Sequence, residues 1–302
     1  MKRYLTIDIS NCSMHWAITT EKLDVVQQGK SEIAGHEERS AVFQPIRELS
    51  ERFHEYVEGI ALTMPGVIDS EKGIAYSGGI YEWVRNEPYA RELENLTGLP
   101  VVILNDAKAA ALAEVGYGNL KNVNNGIMLM ILTTGIGGAV IHHGEIVNGS
   151  HHAAGEFSYL SGDYKNRENG RDMFVYSCSL TGLCQIVEET TGKKNMNVMR
   201  ILFGLSQKDP EIMKGVRIYC QRLAFFIYNI QCVCDADRFI LSGNVTDEPV
   251  FMDLIREAVN ETFERSYYQN IYKPEIRDCA FHDDARKYGA VYLFRKLKEN
   301  QK

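Results

Sequence analysis

Residues 101–104 are an apolar run that ends in Asn105-Asp106 and continues as an alanine-rich stretch over 107–115. A short run of this kind reads as a buried strand, and the alanines after it read as a helix. A strand that passes straight into a helix through two polar residues confines the chain to the α/β class. A second junction constrains it further. Residues 127–132 are continuously apolar, Thr133-Thr134-Gly135-Ile136-Gly137-Gly138 follow, and a strand at 139–142 comes next. Short polar loops at strand ends are where α/β sheets gather ligands. Asp8, Asn105, Asp106 and residues 133–138 all fall at such ends.

The rest of the chain repeats one order of elements. Residues 4–9, 15–19 and 25–26 read as a strand meander. A helix over 38–54 puts Val42, Phe43, Ile46, Leu49 and Phe53 on one face. Residues 59–64 are a strand stopped by Pro65-Gly66. A helix over 88–97 has Pro88 at its start and Gly98 just past its end. In the second half a long amphipathic helix spans 213–234. A strand at 238–241 then ends in Ser242-Gly243-Asn244, and helices follow at 249–265 and 283–297. Meander, helix, strand and helix thus occur twice. At 302 residues the chain has room for two domains of roughly 150 residues. The expectation is two related α/β domains closing on a cleft, 1–120 and 121–302.

Composition narrows the class of partner. The formal net charge is −7, which argues against a nucleic-acid surface built on phosphate contacts. No apolar stretch approaches the roughly 20 residues that span a bilayer, and the start turns polar too soon for a signal peptide. The seven cysteines are odd in number and scattered, which favours a reducing compartment. A cytoplasmic protein is expected, with no nucleic acid and no membrane as partner.

Few residues carry chemistry by type and position. Three glycines and two threonines in 133–138 exceed what a two-residue hairpin turn needs, and they suit close approach of an anion. No Gly-Lys-Ser/Thr follows, so this is not a Walker A loop. Asp106 has two readings, a cap on the helix that follows or a fixed carboxylate able to take a proton from a hydroxyl. Glu156 offers a second carboxylate for a polyhydroxylated ligand. His142-His143, His151-His152 and the Cys232/Cys234 pair lack zinc spacing and read as structural. Cys12 lies in a candidate ligand loop.

In order and spacing these motifs resemble the ROK family of sugar kinases over nearly the whole chain. The carriers are YLTID at 4–8, MPGVID at 64–69, LNDAKAAALAE at 104–114 and TTGIGG at 133–138. GEI at 144–146, AAGE at 153–156 and ILSG at 240–243 complete the set. The resemblance implies an actin-like, ribonuclease H-like fold and ATP- and Mg²⁺-dependent phosphorylation of a sugar or glycoside. It implies Asp106 as general base and Gly66, Asn105, Glu156 and Tyr159 as sugar contacts. Asp8, Ser10, Asn11, Thr134, Gly135, Gly137, Gly138 and Gly243 would contact the nucleotide, with Asp8 addressing the Mg²⁺ shell through water. A homodimer is the family expectation. Three departures stand out. Asp8-Ile9-Ser10-Asn11-Cys12 replaces a glycine-rich first phosphate loop, and Tyr159 replaces a zinc-binding histidine. The cysteine-rich zinc segment is absent between Ser161 and Met173, so a zinc-free branch is expected. The altered first loop also fits a second reading, a non-catalytic sugar-binding relative. With the first strand starting at residue 4, no N-terminal DNA-binding helix-turn-helix is expected.

Overall fold

The computed structural model describes residues 1–10, 13–33, 37–163, 173–267 and 269–299. It divides into two compact units. The first is Met1–Tyr117 with Gly149–Ala153 and the chain from Asp284 onward; the second is Gly118–Asn148 with Ala154–Asp283.

The first unit contains β1 (Arg3–Ile9), β2 (Ser13–Thr20), β3 (Val25–Glu32), α1 (Arg39–Phe53), β4 (Ile60–Met64), β5 (Ile68–Asp69), β6 (Ile74–Ala75), α2 (Tyr89–Thr97), β7 (Val101–Asn105), α3 (Asp106–Tyr117) and a C-terminal helix, Ala285–Glu299. Its main sheet has the order β3-β2-β1-β4-β7. The first three strands form an antiparallel meander, and β1, β4 and β7 run parallel. β4 and β7 are buried at every residue, as expected of parallel strands covered on both faces. Val42, Ile46, Leu49 and Phe53 of α1 enter the core, as their spacing requires. At the end of α2, Gly98 takes a left-handed conformation, φ 69°, and its N–H closes on the Glu94 carbonyl.

The C-terminal helix packs against α3, β1 and β4. Small residues permit the approach. Ala107, Ala109, Ala110, Ala111 and Ala113 of α3 are buried, and a Cβ on Gly289 would collide with the Ala109 carbonyl. The glycine is therefore a contact point between two helix backbones, and it fixes the register of the C-terminal helix against α3.

The second unit contains β8 (Gly126–Ile131), β9 (Ile136–His142), β10 (Glu145–Ile146), α4 (Phe174–Cys178), α5 (Leu180–Thr191), α6 (Val198–Ser206), α7 (Pro210–Cys234), β11 (Arg238–Ser242), α8 (Pro249–Glu264) and β12 (Glu275–Asp278). The sheet order is β10-β9-β8-β11-β12. An antiparallel meander again continues into parallel strands, so both units follow one plan. The long helix α7 is central, with Tyr219, Leu223, Phe226 and Ile227 in the core. Phe226 stacks on Phe174 with ring centroids 4.2 Å apart.

Two features differ from the sequence-based expectation. Periodicity assigns no element over 173–206, where α4, α5 and α6 lie. These helices are short and rely on packing for stability. The starts of α5 and α6 are nevertheless marked, because Ser179 accepts from the Gly182 N–H and Asn197 from the Arg200 N–H. The second difference concerns residues 133–138. The turn is already closed by the bond from the Leu132 N–H to the Gly135 carbonyl (3.0 Å), and β9 starts at Ile136. Gly137 pairs with Met130 and Gly138 with Leu129, so two of the three glycines are strand residues. Among the described residues, no helix is long and apolar enough to cross a membrane.

Candidate active site

The parallel strands of the first unit bring its polar residues to one edge. Asp8 stands opposite Thr63 on β4, Thr63 opposite Leu104 on β7, and Met64 opposite Asn105. Asp8 and Asp106 therefore sit at the same ends of nearby strands. Both are buried.

Asn105 answers the question of what caps α3. Its Oδ1 accepts from the N–H groups of Ala107 and Lys108, at 3.0 and 3.1 Å. Its Nδ2 donates to the Gly66 carbonyl at 3.0 Å. The capping reading of the junction therefore belongs mainly to Asn105. Gly66 is held in a conformation few other residues tolerate, with φ 107° and no room for a Cβ beside the Ser77 carbonyl. Asn105 thus ties the turn after β4 to the start of α3.

Asp106 is left with few contacts. Its Oδ1 accepts from the adjacent Ala107 N–H at 2.8 Å, and its own backbone N–H also bears on the carboxyl. The carboxyl is pushed up to about 6, chiefly by burial, with Arg286 opposing the rise and the Asp8 charge adding to it. A carboxyl in that range is ionised at neutral pH and still basic enough to accept a proton.

Asp8 has partners on both oxygens. Thr63 Oγ1 donates to Oδ1 at 2.6 Å, and Arg286 Nη1 reaches Oδ2 at 2.9 Å. Sequence reasoning missed Arg286. It is in the first turn of the C-terminal helix, three residues before Gly289, and so on the face that meets α3. A cation in the first turn opposes the helix dipole, and that mismatch was the one signal available in the sequence. Tyr81 was missed too. It is buried, and its hydroxyl donates to the Ser10 carbonyl at 2.6 Å. The Ser10 N–H donates to the Ser13 carbonyl at 2.9 Å, and the two serine hydroxyls are 2.8 Å apart. Asn11 and Cys12, also expected near a ligand, lie outside the described residues.

In the second unit the end of β8 is the meeting point. Gly243 follows β11 with φ 125°, and a Cβ there would strike the Ile131 carbonyl. A Cβ on Gly138 would strike the Phe157 ring and the Gly155 carbonyl. Ser158 accepts from the Ile136 N–H at 3.0 Å and donates to the Ile136 carbonyl at 2.8 Å. The segment bearing half-buried Glu156 and exposed Tyr159 is thereby pinned to β9. Thr134 and Gly135 stay in the turn. The Thr133 carbonyl accepts from the Thr181 hydroxyl (2.7 Å) and backbone N–H (3.0 Å) at the start of α5. Beside them is a cavity of about 660 Å³ whose lining includes Thr134, Tyr176, Ser179, Thr181, Gln185 and Arg222. That volume is in the range of small-molecule sites.

Three of the four histidines in the two pairs have structural partners. His152 Nε2 is 3.2 Å from buried Asp69, and His142 and His143 bond Asn125 and Asn124. Among the described residues no group of three His, Cys, Asp or Glu side chains could hold a metal ion; residues 164–172, within the stretch where the zinc segment is absent, lie outside them. The donor set near Asp8 does not form a protein cage for a dication. It fits a Mg²⁺ ion carried on substrate phosphates and reached through water, the usual habit of that ion.

Comparison with known proteins identifies the family. The ROK family model matches residues 4–297. A beta-glucoside kinase of Klebsiella pneumoniae is 31% identical over 250 residues, covering 81% of this chain and 80% of its own. One from Listeria monocytogenes is 26% identical over 298 residues, covering 95% of both. The crystal structure of a ROK family glucokinase from Streptomyces griseus in complex with glucose and AMPPNP superposes with a TM-score of 0.84. It is 19% identical, with 97% of this chain and 99% of that chain covered. With a family model that matches nearly its whole length, the chain belongs to the ROK family.

Proposed function

We propose that this protein is a sugar kinase that transfers the γ-phosphoryl group of ATP to a hydroxyl of a sugar or glycoside, with Asp106 as the general base. The observation that carries this reading is the division of labour at the end of β7. Asn105 caps α3 with its side-chain oxygen, so the neighbouring carboxylate is not needed for the cap. Asp106 would take the hydroxyl proton as the sugar oxygen bonds to phosphorus and the bond to the leaving ADP oxygen breaks. Such a transfer depends on positioning and on neutralising charge rather than on covalent help from the protein.

The other contacts follow the family pattern. Gly66, Glu156 and Tyr159 would contact the sugar. The second amide hydrogen of Asn105 is the one it has left to offer, because its oxygen serves the cap. Thr134, Gly135, Gly137 and Gly138 would take the phosphates and Gly243 the adenosine side, with Ser10 and Asn11 close to the nucleotide. Mg²⁺ brought in with ATP supplies charge neutralisation, and Asp8 would address its shell through water. The relatives named as beta-glucoside kinases support a β-glucoside as the first substrate to try. A cytoplasmic homodimer without zinc completes the reading; light scattering and metal analysis of the purified protein test its last two parts.

The function is tested by coupled ADP release over a panel of hexoses, amino sugars and β-glucosides. Turnover with a member of the panel, lost in Asp106→Asn, is expected. No turnover on any sugar, with a sugar raising Tm and ATP leaving it unchanged, would contradict it.

A further inference from the structure

Ser10, the residue that follows β1, spends its donors within its own turn. The Ser10 N–H and hydroxyl are both turned toward Ser13, and the Ser10 carbonyl is held by Tyr81. An anion arriving beside Asp8 and Asp106 would meet two buried carboxylates, and like charges at close range repel. The C-terminal helix supplies the opposing charge. Arg286 Nη1 contacts Asp8, and the arginine side chain is only 22% exposed. A guanidinium has five N–H donors, and Asp8 is the one group it is bonded to among the described residues. The nearby cations are committed elsewhere, Lys287 to Asp284 and Lys108 to the His152 carbonyl. A mostly buried arginine side chain, its guanidinium fixed by one carboxylate and with further N–H donors, suits a tetrahedral oxyanion.

We infer that Arg286 contacts the terminal phosphoryl group of ATP, supplying beside Asp8 cationic donors that Ser10, bonded within its own turn, does not offer. The geometry supports this independently of any titration. Arg286 is held toward Asp8 by the packing of Gly289 on α3, and it occupies a helix position that a cation would otherwise disfavour. Arg286 makes no covalent bond in the reaction. It binds the equatorial oxygens of the group that moves, and its partner Asp8 keeps the guanidinium plane in place. The inference rests on the kinase reading above.

The test is calorimetric titration of ATP and of ADP, each with Mg²⁺, into the full-length protein saturated with an accepted sugar. Arg286→Met should weaken ATP binding by roughly ten- to a hundredfold, the usual loss for a charge-assisted contact. ADP, which lacks the terminal group, should bind within about threefold of the wild type, a difference under the ~1.4 kcal/mol of a tenfold change. Arg286→Lys should fall between, because it keeps the charge and loses the fork. Arg286→Met leaves a buried carboxylate unpaired, so Asp8→Asn/Arg286→Met is the companion variant, and measured against Asp8→Asn alone it should show the same selective loss of ATP. Equal losses for ATP and ADP, or no loss for either, in both variants would overturn the role given to Arg286. Failure of the wild type to bind ATP at all would overturn the kinase reading, and this inference with it.

Discussion

Asp8 and Asp106 are two buried aspartates at the same edge of one sheet, and the protein treats them differently. Asp8 has a hydroxyl on one oxygen and a guanidinium on the other. Asp106 has backbone N–H groups from its own helix, and burial drives its carboxyl up to about 6. The lesson lies in the surrounding partners, since the side chains are identical. In the proposed mechanism the paired carboxylate anchors charge and the sparsely bonded one serves as the base. Environments that treat two carboxyls differently mark a division of roles.

The comparison can be broken by exchanging those roles. Asp106→Asn is expected to lower kcat by about 10²- to 10⁴-fold with ATP affinity retained, the contribution of a general base. Equal kcat losses in Asp8→Asn, without a loss of ATP affinity, would erase the distinction. Stability should respond in the opposite direction. The folded-state carboxyl of Asp106 lies above its ordinary 3.8, so folding favours the protonated form. That preference helps fully below the ordinary value and is lost as pH rises through about 6, so ionised Asp106 costs stability at neutral pH. Asp106→Asn should therefore raise stability at pH 7 by about 1–3 kcal/mol and leave it little changed near pH 4, as urea titrations at the two pH values would show.

Smaller effects sharpen the account. Gly289→Ala should cost about 2–3 kcal/mol, because the added methyl meets the Ala109 backbone rather than a flexible side chain. It should also weaken ATP binding, since Arg286 rides on the same helix. Asn105→Ala should lose about 1–2 kcal/mol through the missing cap, with a rise in sugar KM as Gly66 is released. Thr63→Val removes a single hydrogen bond to Asp8, worth roughly 1–2 kcal/mol, and should leave sugar KM unchanged.

Much of this was legible in the sequence. Apolar runs placed both sheets, and the strand-to-helix junction at Asn105-Asp106 stood out because polar residues there interrupt two regular patterns. Three things were not legible. Asn105 or Asp106 as the cap is a choice between adjacent residues that one side-chain torsion decides. Gly137 and Gly138 read as loop because glycine is a turn signal, whereas Gly138 lies in β9 with the space for its Cβ filled by Phe157 and Gly155. Arg286 is 278 residues from Asp8 in sequence, and pattern along the chain carries no information about such a pairing.

The most direct test of Asp106 as the base is kcat/KM for the accepted sugar across pH 5–8 at saturating ATP and Mg²⁺. A general base with a carboxyl near 6 predicts a tenfold fall per pH unit on the acid side, bending to a plateau near pH 6. A flat profile through that region, in a protein that stays folded across it, would contradict the account.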